Sequence, residues 1–419
     1  MIRALAAPLL CLFILGAETQ SAPASRTWHV SPSGTIDAPG SASRPLDLAT
    51  ALAGAAGRIT PGDTVWLHAG RYLGSFQTAL TGLPDRPIVF RAWPGERATI
   101  DGTLKADGAY LVFWGFEIEQ REPTILDTYG LQARTRGGRF INLVIHDAGT
   151  MGVSFWSPAE DAELYGCIIY NNGTHENLDH GVYVHNERGA KVLADNVLFN
   201  NLTYGIHVFA GRNNLPQDSI RLEGNIVFNN GTIARRPVRG NVIVGGDVPM
   251  SDMEVLDNLL YYSGRDGENL RLGYGFVANG ALVARGNYLL GGARALRNEA
   301  WPMARLERNI LAQEPEATVV TRPNRYEPGR AFIAVVNPSR APTVRVSLSG
   351  VLRTGQRYQV RNVQDPFGAP VASGTFTGEL VSFPMSGVAP PVPLGRAMAP
   401  APRTGPAFDV FLVTAADSS

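Results

Sequence analysis

The chain has 419 residues, with 37 Lys plus Arg balanced by 37 Asp plus Glu, so it carries no net field to hold nucleic acid or draw acidic partners from afar. Its 46 glycines and 29 prolines fall short of the roughly 25 to 30% at which disorder becomes the better reading. Two domains are the expectation at this length, or a solenoid, which grows without the limit of a single core.

The chain opens with Arg3, an apolar run from Ala4 to Leu15 and small residues around Ala22-Pro23-Ala24, the pattern of an export signal over residues 1–24. That run is too short to span a bilayer, and no other stretch reaches that length. The mature protein is therefore expected to be secreted or periplasmic, with no membrane partner. It would keep a single cysteine, Cys167, in an apolar strand, which reads as a buried structural thiol.

Residues 26–110 run from WHVSPSG through a Gly/Pro/Ser loop to ATALAGAAG, where alanines at helical spacing predict a short helix ended by Gly57. PGDTVWLHAGRY and PIVFRAWPGERATIDG follow, each a β run closed by turn residues. A helix there would cover the open end of a solenoid.

A punctuation then recurs about every 22 to 33 residues: GFEIEQ from Gly115, NLVIHDAG from Asn142, GCIIYNNG from Gly166, NVLFNN from Asn196, NIVFNNG from Asn225, NLLYYSG from Asn258, NYLLGG from Asn287 and NILAQ from Asn309. β-Branched runs with no amphipathic helix between them predict stacked rungs of short strands, each burying its apolar face against its neighbours. The Asn and Gly fit tight corners, where stacked Asn side chains bond the backbone. A second strand per rung opens at Gly152, Gly181, Gly205 and Asn241, and period-2 alternation sends Val182, Val184, Ile206, Val208, Val242 and Val244 inside. Residues 26 to about 310 strongly resemble right-handed parallel β-helix proteins of the pectate lyase-like type. The expected fold is all-β, a right-handed parallel β-helix solenoid over residues 25–320.

After Asn309 the rung spacing stops. AFIAVVNP, TVRVSLSG, QRYQVRNV, TFTGELVSF and FDVFLVT are short alternating strands, predicting a small antiparallel β-sandwich over residues 321–419. The run from YEPGRAFIAVVN to FPM resembles the carboxy-terminal module of many secreted bacterial β-helix proteins and glycosidases. It is expected to be an accessory domain that could be removed without loss of the helix, with the Pro-rich stretch from Ala389 to Pro406 as a loop or surface wrap.

Five of the seven histidines, His146, His175, His180, His185 and His207, fall close together in sequence. Aligning the second strands by their glycines puts Ser154, Tyr183 and His207 in one outward column and Trp156, His185 and Phe209 in the next. With rungs about 4.8 Å apart and same-face neighbours about 6.6 Å apart, Tyr183, His185 and His207 converge on one patch. A tyrosine beside imidazoles can take and return protons near neutral pH. β-Elimination at a uronic acid needs such a set, plus a group that neutralises the sugar carboxylate. The catalytic candidates are Tyr183, His207 and His185. Arg212 and His180 are the candidates for holding the carboxylate, and Trp156 and Phe209 for stacking on sugar faces. The resemblance implies the same outer-strand location, as in β-helix polysaccharide lyases and epimerases, without a family signature in the residues.

Three alternatives stand beside the lyase. A hydrolase would draw its carboxylates from Asp161, Glu163, Glu176, Asp179 and Glu187, no pair of which lands on the strand face, although turn residues can lean over the groove. A site for zinc or another transition metal would use His175, Glu176, Asp179, His180 and His185, whose spacing matches no established signature, and Ca2+ at the Asp179 turn is the other metal alternative; no metal is assigned. A glycan-binding β-helix without chemistry would lack a proton-transfer set. The expected partner in each enzymatic reading is a polysaccharide, and a monomer is expected.

Overall fold

The computed structural model describes residues 25–122, 128–235, 240–275 and 277–416. The export-signal segment 1–24 lies outside the described residues. The rungs stack in parallel as expected. One 11-stranded parallel sheet runs from Thr27–Val30 to Met303–Glu307. A 17-stranded parallel sheet carries the other two strands of each rung. Its first column passes through Val144–His146, Ile168–Tyr170, Val197–Phe199 and Ile226–Phe228, and its second through Val153–Phe155, Val182–Val184, Tyr204–Val208 and Gly240–Val244. Two long strands, Gly70–Thr78 and Ala98–Ala106, start both columns, because Thr99 pairs with Glu117 in the first and Leu104 with Leu131 in the second.

The interior follows from alternation. Val182, Val184, Ile206, Val208, Val242 and Val244 are all buried in one continuous core with Ile118, Ile145, Ile169 and Leu198. Cys167 joins it, and burial pushes its thiol up to about 12, as befits an inert packing residue. The predicted helix is shorter than its alanines suggested, Leu48–Leu52, with Asp47 capping Thr50 N–H at 2.8 Å. Gly54 at φ 81°, followed by Ala55 at φ 48°, turns the chain out of helix before Gly57.

The corner register differs by one residue from the sequence alignment in the early rungs. Gly115, Asn142 and Gly166 do not stack on Asn196. They share the position of Asp195, Gly224, Asp257, Gly286 and Arg308, all with φ between 51 and 77°. The true Asn ladder is the next residue, Asn196, Asn225, Asn258, Asn287 and Asn309. From Asn196 to Asn287 each Nδ2 donates to the Oδ1 above at 2.8–2.9 Å, and all five, the terminal Asn309 included, donate to a backbone carbonyl of the rung below. A second ladder, Asn172, Asn201, Asn230, Asn241 and Asn269, holds the opposite corner of the 17-stranded sheet. Apart from the half-buried Asn309 at the last rung, these side chains are almost wholly buried, and their amides replace the water the turning backbone loses.

The carboxy-terminal sheets are antiparallel: five strands, Thr318–Pro323, Ala331–Val336, Arg357–Asn362, Ala372–Thr375 and Phe408–Ala415, and a pair, Thr343–Val346 with Val381–Pro384. They enclose their own core around Ile333, Val360, Phe383 and Phe411. The sandwich strands begin at Thr318, three residues before the expected boundary.

The module is not loosely tethered. Its strands lay Phe332, Ala334, Val336, Phe408, Val410 and Leu412 on the outward residues of the first column, Ile168, Val197, Phe199, Ile226, Phe228, Leu259 and Tyr261. Tyr170, Phe199 and Phe228 stack at 5.0 Å intervals beneath it, and Phe408 stacks on Tyr261 at 4.1 Å. The two parts thus share an apolar core, which counts against a module that can be removed without loss of the helix. Nor does the module cap the last rung, whose Met303, Ile310 and Leu311 stay exposed. The Pro-rich segment wraps the coil: Arg396 reaches the carbonyls of Ala148, Gly173 and Asn171 and pairs with Asp147 at 3.6 Å.

Candidate active site

The second column does what its glycines predicted. Ser154 pairs with Tyr183, Tyr183 with His207, and His207 with Ile243. A Cβ on Gly152 or Gly181 would sit 2.6–2.8 Å from the Asn ladder amides and the next rung's backbone, so glycine lets the corner close and fixes the register. Tyr183 and His207 rings lie 5.4 Å apart, nearly perpendicular. Trp156 packs edge-on to Tyr183 at 5.8 Å and Phe209 lies 5.1 Å from His207.

These four side chains line one cleft of about 420 Å³ with Tyr129, Leu178, Asp179, Asp247 and Tyr274. Trp156 and Phe209, the two aromatic candidates, thus both wall this cleft. Behind the face, Lys191 is fully buried and its Nζ bonds the Trp156 carbonyl at 2.6 Å and the His185 carbonyl, pinning the turns that end these strands. Burial lowers its pKa to about 7.

Two expected residues take other positions. His185 does not line the cleft; its ring packs against Trp156 at 5.3 Å and Tyr183 at 4.9 Å, and desolvation lowers its pKa to about 4. His180 contributes to the floor, but both ring nitrogens are already bonded, Nδ1 to Thr203 and Nε2 to His207 Nδ1 at 2.7 Å. Desolvation lowers its pKa to about 3, so it is a neutral support and cannot balance a carboxylate. Arg212 stands at the rim, with a largely exposed side chain 3.7 Å from Asp247.

Tyr274 escaped the sequence reading. Its hydroxyl meets His207 Nε2 at 2.7 Å, so His207 lies between His180 and Tyr274. It comes from the turn after Glu268–Leu272, where Gly273 and Gly275 at φ 84 and 80° reverse the chain. A tyrosine between two glycines just past a second-column strand was the available signal. Burial and the neighbouring His180 push the His207 pKa well below 6.5, while burial raises those of Tyr183 and Tyr274. The site thus holds an uncharged imidazole between protonated phenols near neutral pH.

The metal and hydrolase alternatives fare unevenly. Asp179 Oδ2 accepts the N–H groups of Thr174 and His175 at 2.8 and 2.6 Å, and Glu176 accepts the N–H of Arg235. The Asp179 oxygen expected to hold Ca2+ therefore closes its own turn. Asp161 caps a sheet corner at Ala190, and Glu163 binds Arg325 and Tyr326. Of the proposed carboxylates Asp179 alone reaches the cleft, joined there by Asp247.

A separate group, Glu117, Glu119 and His146, gathers possible metal ligands within 4.8 Å. Its donors are engaged: Arg97 grips Glu117 at 2.6 and 2.9 Å, and Arg71 pairs with Glu119. His146 bridges Glu117 at 2.9 Å and Asp147 at 2.7 Å. The carboxylates raise the His146 pKa to about 9 against its burial, so the group is an internal ion network.

The family described as a right handed beta helix region matches residues 115–277. Among solved structures, a rhamnogalacturonan lyase is 14% identical with a TM-score of 0.50, covering 68% of this chain and 87% of its own. A pectate lyase is 15% identical with a TM-score of 0.49, covering 68% and 80%. No curated protein matches by sequence. The chain is a right-handed parallel β-helix followed by an antiparallel β-sandwich.

Proposed function

We propose that this protein is an exported polysaccharide lyase that cleaves a glycan by β-elimination at a uronic acid. The observation that carries the reading is a neutral imidazole, His207, opening with Tyr183 and Tyr274 onto an aromatic-walled cleft. The C5 proton leaves to a base of this set, its electron pair forms the C4–C5 double bond, the C4–O bond breaks, and a tyrosine hydroxyl returns a proton to the departing oxygen. Trp156 and Phe209 hold the flanking sugars, and Arg212 meets the carboxylate from the rim. The fold's likeness to a rhamnogalacturonan lyase agrees with such a substrate.

A second reading, glycoside hydrolysis, draws on Asp179 and Asp247 in the same cleft. Incubation with a panel of uronic-acid polymers separates the two. Elimination gives products with the ultraviolet absorbance of an unsaturated uronate. Hydrolysis gives reducing ends without it, and binding without cleavage would leave a glycan-holding β-helix.

A further inference from the structure

The proton direction along the chain from buried Thr203, His180 and His207 to half-buried Tyr274 is settled by one group that cannot donate. Thr203 Oγ1 contacts the backbone carbonyl of Asp179. A carbonyl only accepts, so the single Thr203 hydroxyl proton points there. Thr203 Oγ1 must then accept from His180 Nδ1, 2.5 Å away, which makes His180 Nε2 the bare nitrogen. The Tyr204 N–H also approaches His180 Nδ1, but at 3.4 Å it is the weaker claim on that atom. His180 Nε2 accepts from His207 Nδ1–H at 2.7 Å, leaving His207 Nε2 bare, and the Tyr274 hydroxyl donates to it at 2.7 Å.

We infer that Tyr274 is a further catalytic residue, whose oxygen is activated by a His207 imidazole held in one tautomer by His180 and Thr203. The catalytic part rests on the lyase reading; the tautomer does not. In the reaction the Tyr274 oxygen takes the substrate C5 proton while its own proton passes to His207 Nε2, so one proton enters the pair and the phenol ends neutral. Tyr183 then serves the leaving oxygen. His180 and Thr203 are positioning residues, since they act only through His207. The same hydrogen bonds hold the buried His180 ring as a neutral acceptor for His207 Nδ1–H, so it orients the base without itself taking a proton.

Nitrogen NMR of the full chain labelled in histidine tests the tautomer without any substrate. The expected result at neutral pH is His180 and His207 each protonated on Nδ1 and bare on Nε2; a proton on His207 Nε2 overturns the assignment. Thr203→Val should scramble this tautomer and lower turnover at least tenfold, and Thr203→Ser, which keeps the hydroxyl, should restore both. Equal signals and rates for the valine and serine variants would also overturn it. Tyr274→Phe should leave the His207 tautomer intact and cut turnover about a hundredfold with unchanged thermal stability. Full activity in that variant removes Tyr274 from the chemistry. If the wild type eliminates on no uronate polymer, the lyase reading and the role of Tyr274 fall together, and the NMR result alone judges the tautomer.

Discussion

Two buried histidines two rungs apart have opposite chemistry. His146 and His207 are both within 6% of full burial, and both are bonded at two nitrogens. His146 lies between Glu117 and Asp147, so its pKa rises to about 9 and it is a cation. His207 lies between His180 and Tyr274, with no carboxylate to offset its burial, so desolvation and then His180 push its pKa well below 6.5 and it is a neutral base. Burial disfavours charge in both, and the partners decide which way each goes. One is locked beneath the module and its strap; the other faces an open cleft.

The largest test of this contrast is removal of the cover. A chain ending at Ala317 would expose Val197, Phe199, Ile226, Phe228, Leu259 and Tyr261. At roughly 1.5–3 kcal/mol for each large apolar side chain, that loss rivals the whole stability of an ordinary domain, about 5–15 kcal/mol. The truncated protein should be insoluble or bind hydrophobic dyes in solution. A soluble fragment with the wild-type melting temperature would show that the shared core contributes little.

Next come His207→Gln and Tyr183→Phe. Each should lower turnover by about two orders of magnitude or more while leaving the melting temperature unchanged, because each keeps its packing and loses a proton site. His146→Gln should do the reverse. It breaks a buried pair, costing about 3 kcal/mol or more in denaturant unfolding, without a direct effect on the cleft.

The pH dependence of that cost carries a sign. The folded pKa of His146 is raised, so its contribution is complete below the unfolded value of 6.5 and disappears as pH rises through about 9. The difference between wild type and His146→Gln should shrink across that window. Taking the difference matters, because Lys191, lowered to about 7, gives the opposite slope in both proteins. The smallest effect is on the acid limb of kcat/KM. A base held well below 6.5 stays neutral, so the rate should not fall as pH drops through 6.5. A limb at 6.5 would contradict a base held between His180 and Tyr274.

The sequence revealed the coil and the placement of Tyr183 over His207, because glycines at the second-column corners admit only one register. The first-column register slipped by one residue, since Gly, Asn and Asp all tolerate the left-handed corner and a Gly can stand where a later rung has an Asp. The packed module was hidden for a different reason. Runs such as NIVFNN are apolar on both faces, so period-2 alternation could not mark an outward face covered by another sheet. Tyr274 and Asp247 arrive from turns, where no periodicity points a side chain anywhere.

The most direct test of the central claim, that this cleft breaks a glycosidic bond by moving protons rather than by adding water, is cleavage of a uronate polymer in water enriched in heavy oxygen, with both new ends weighed. Elimination predicts no heavy oxygen in either fragment and one unsaturated end group per cut. Heavy oxygen in every new reducing end would contradict the account and assign the chemistry to Asp179 and Asp247 instead.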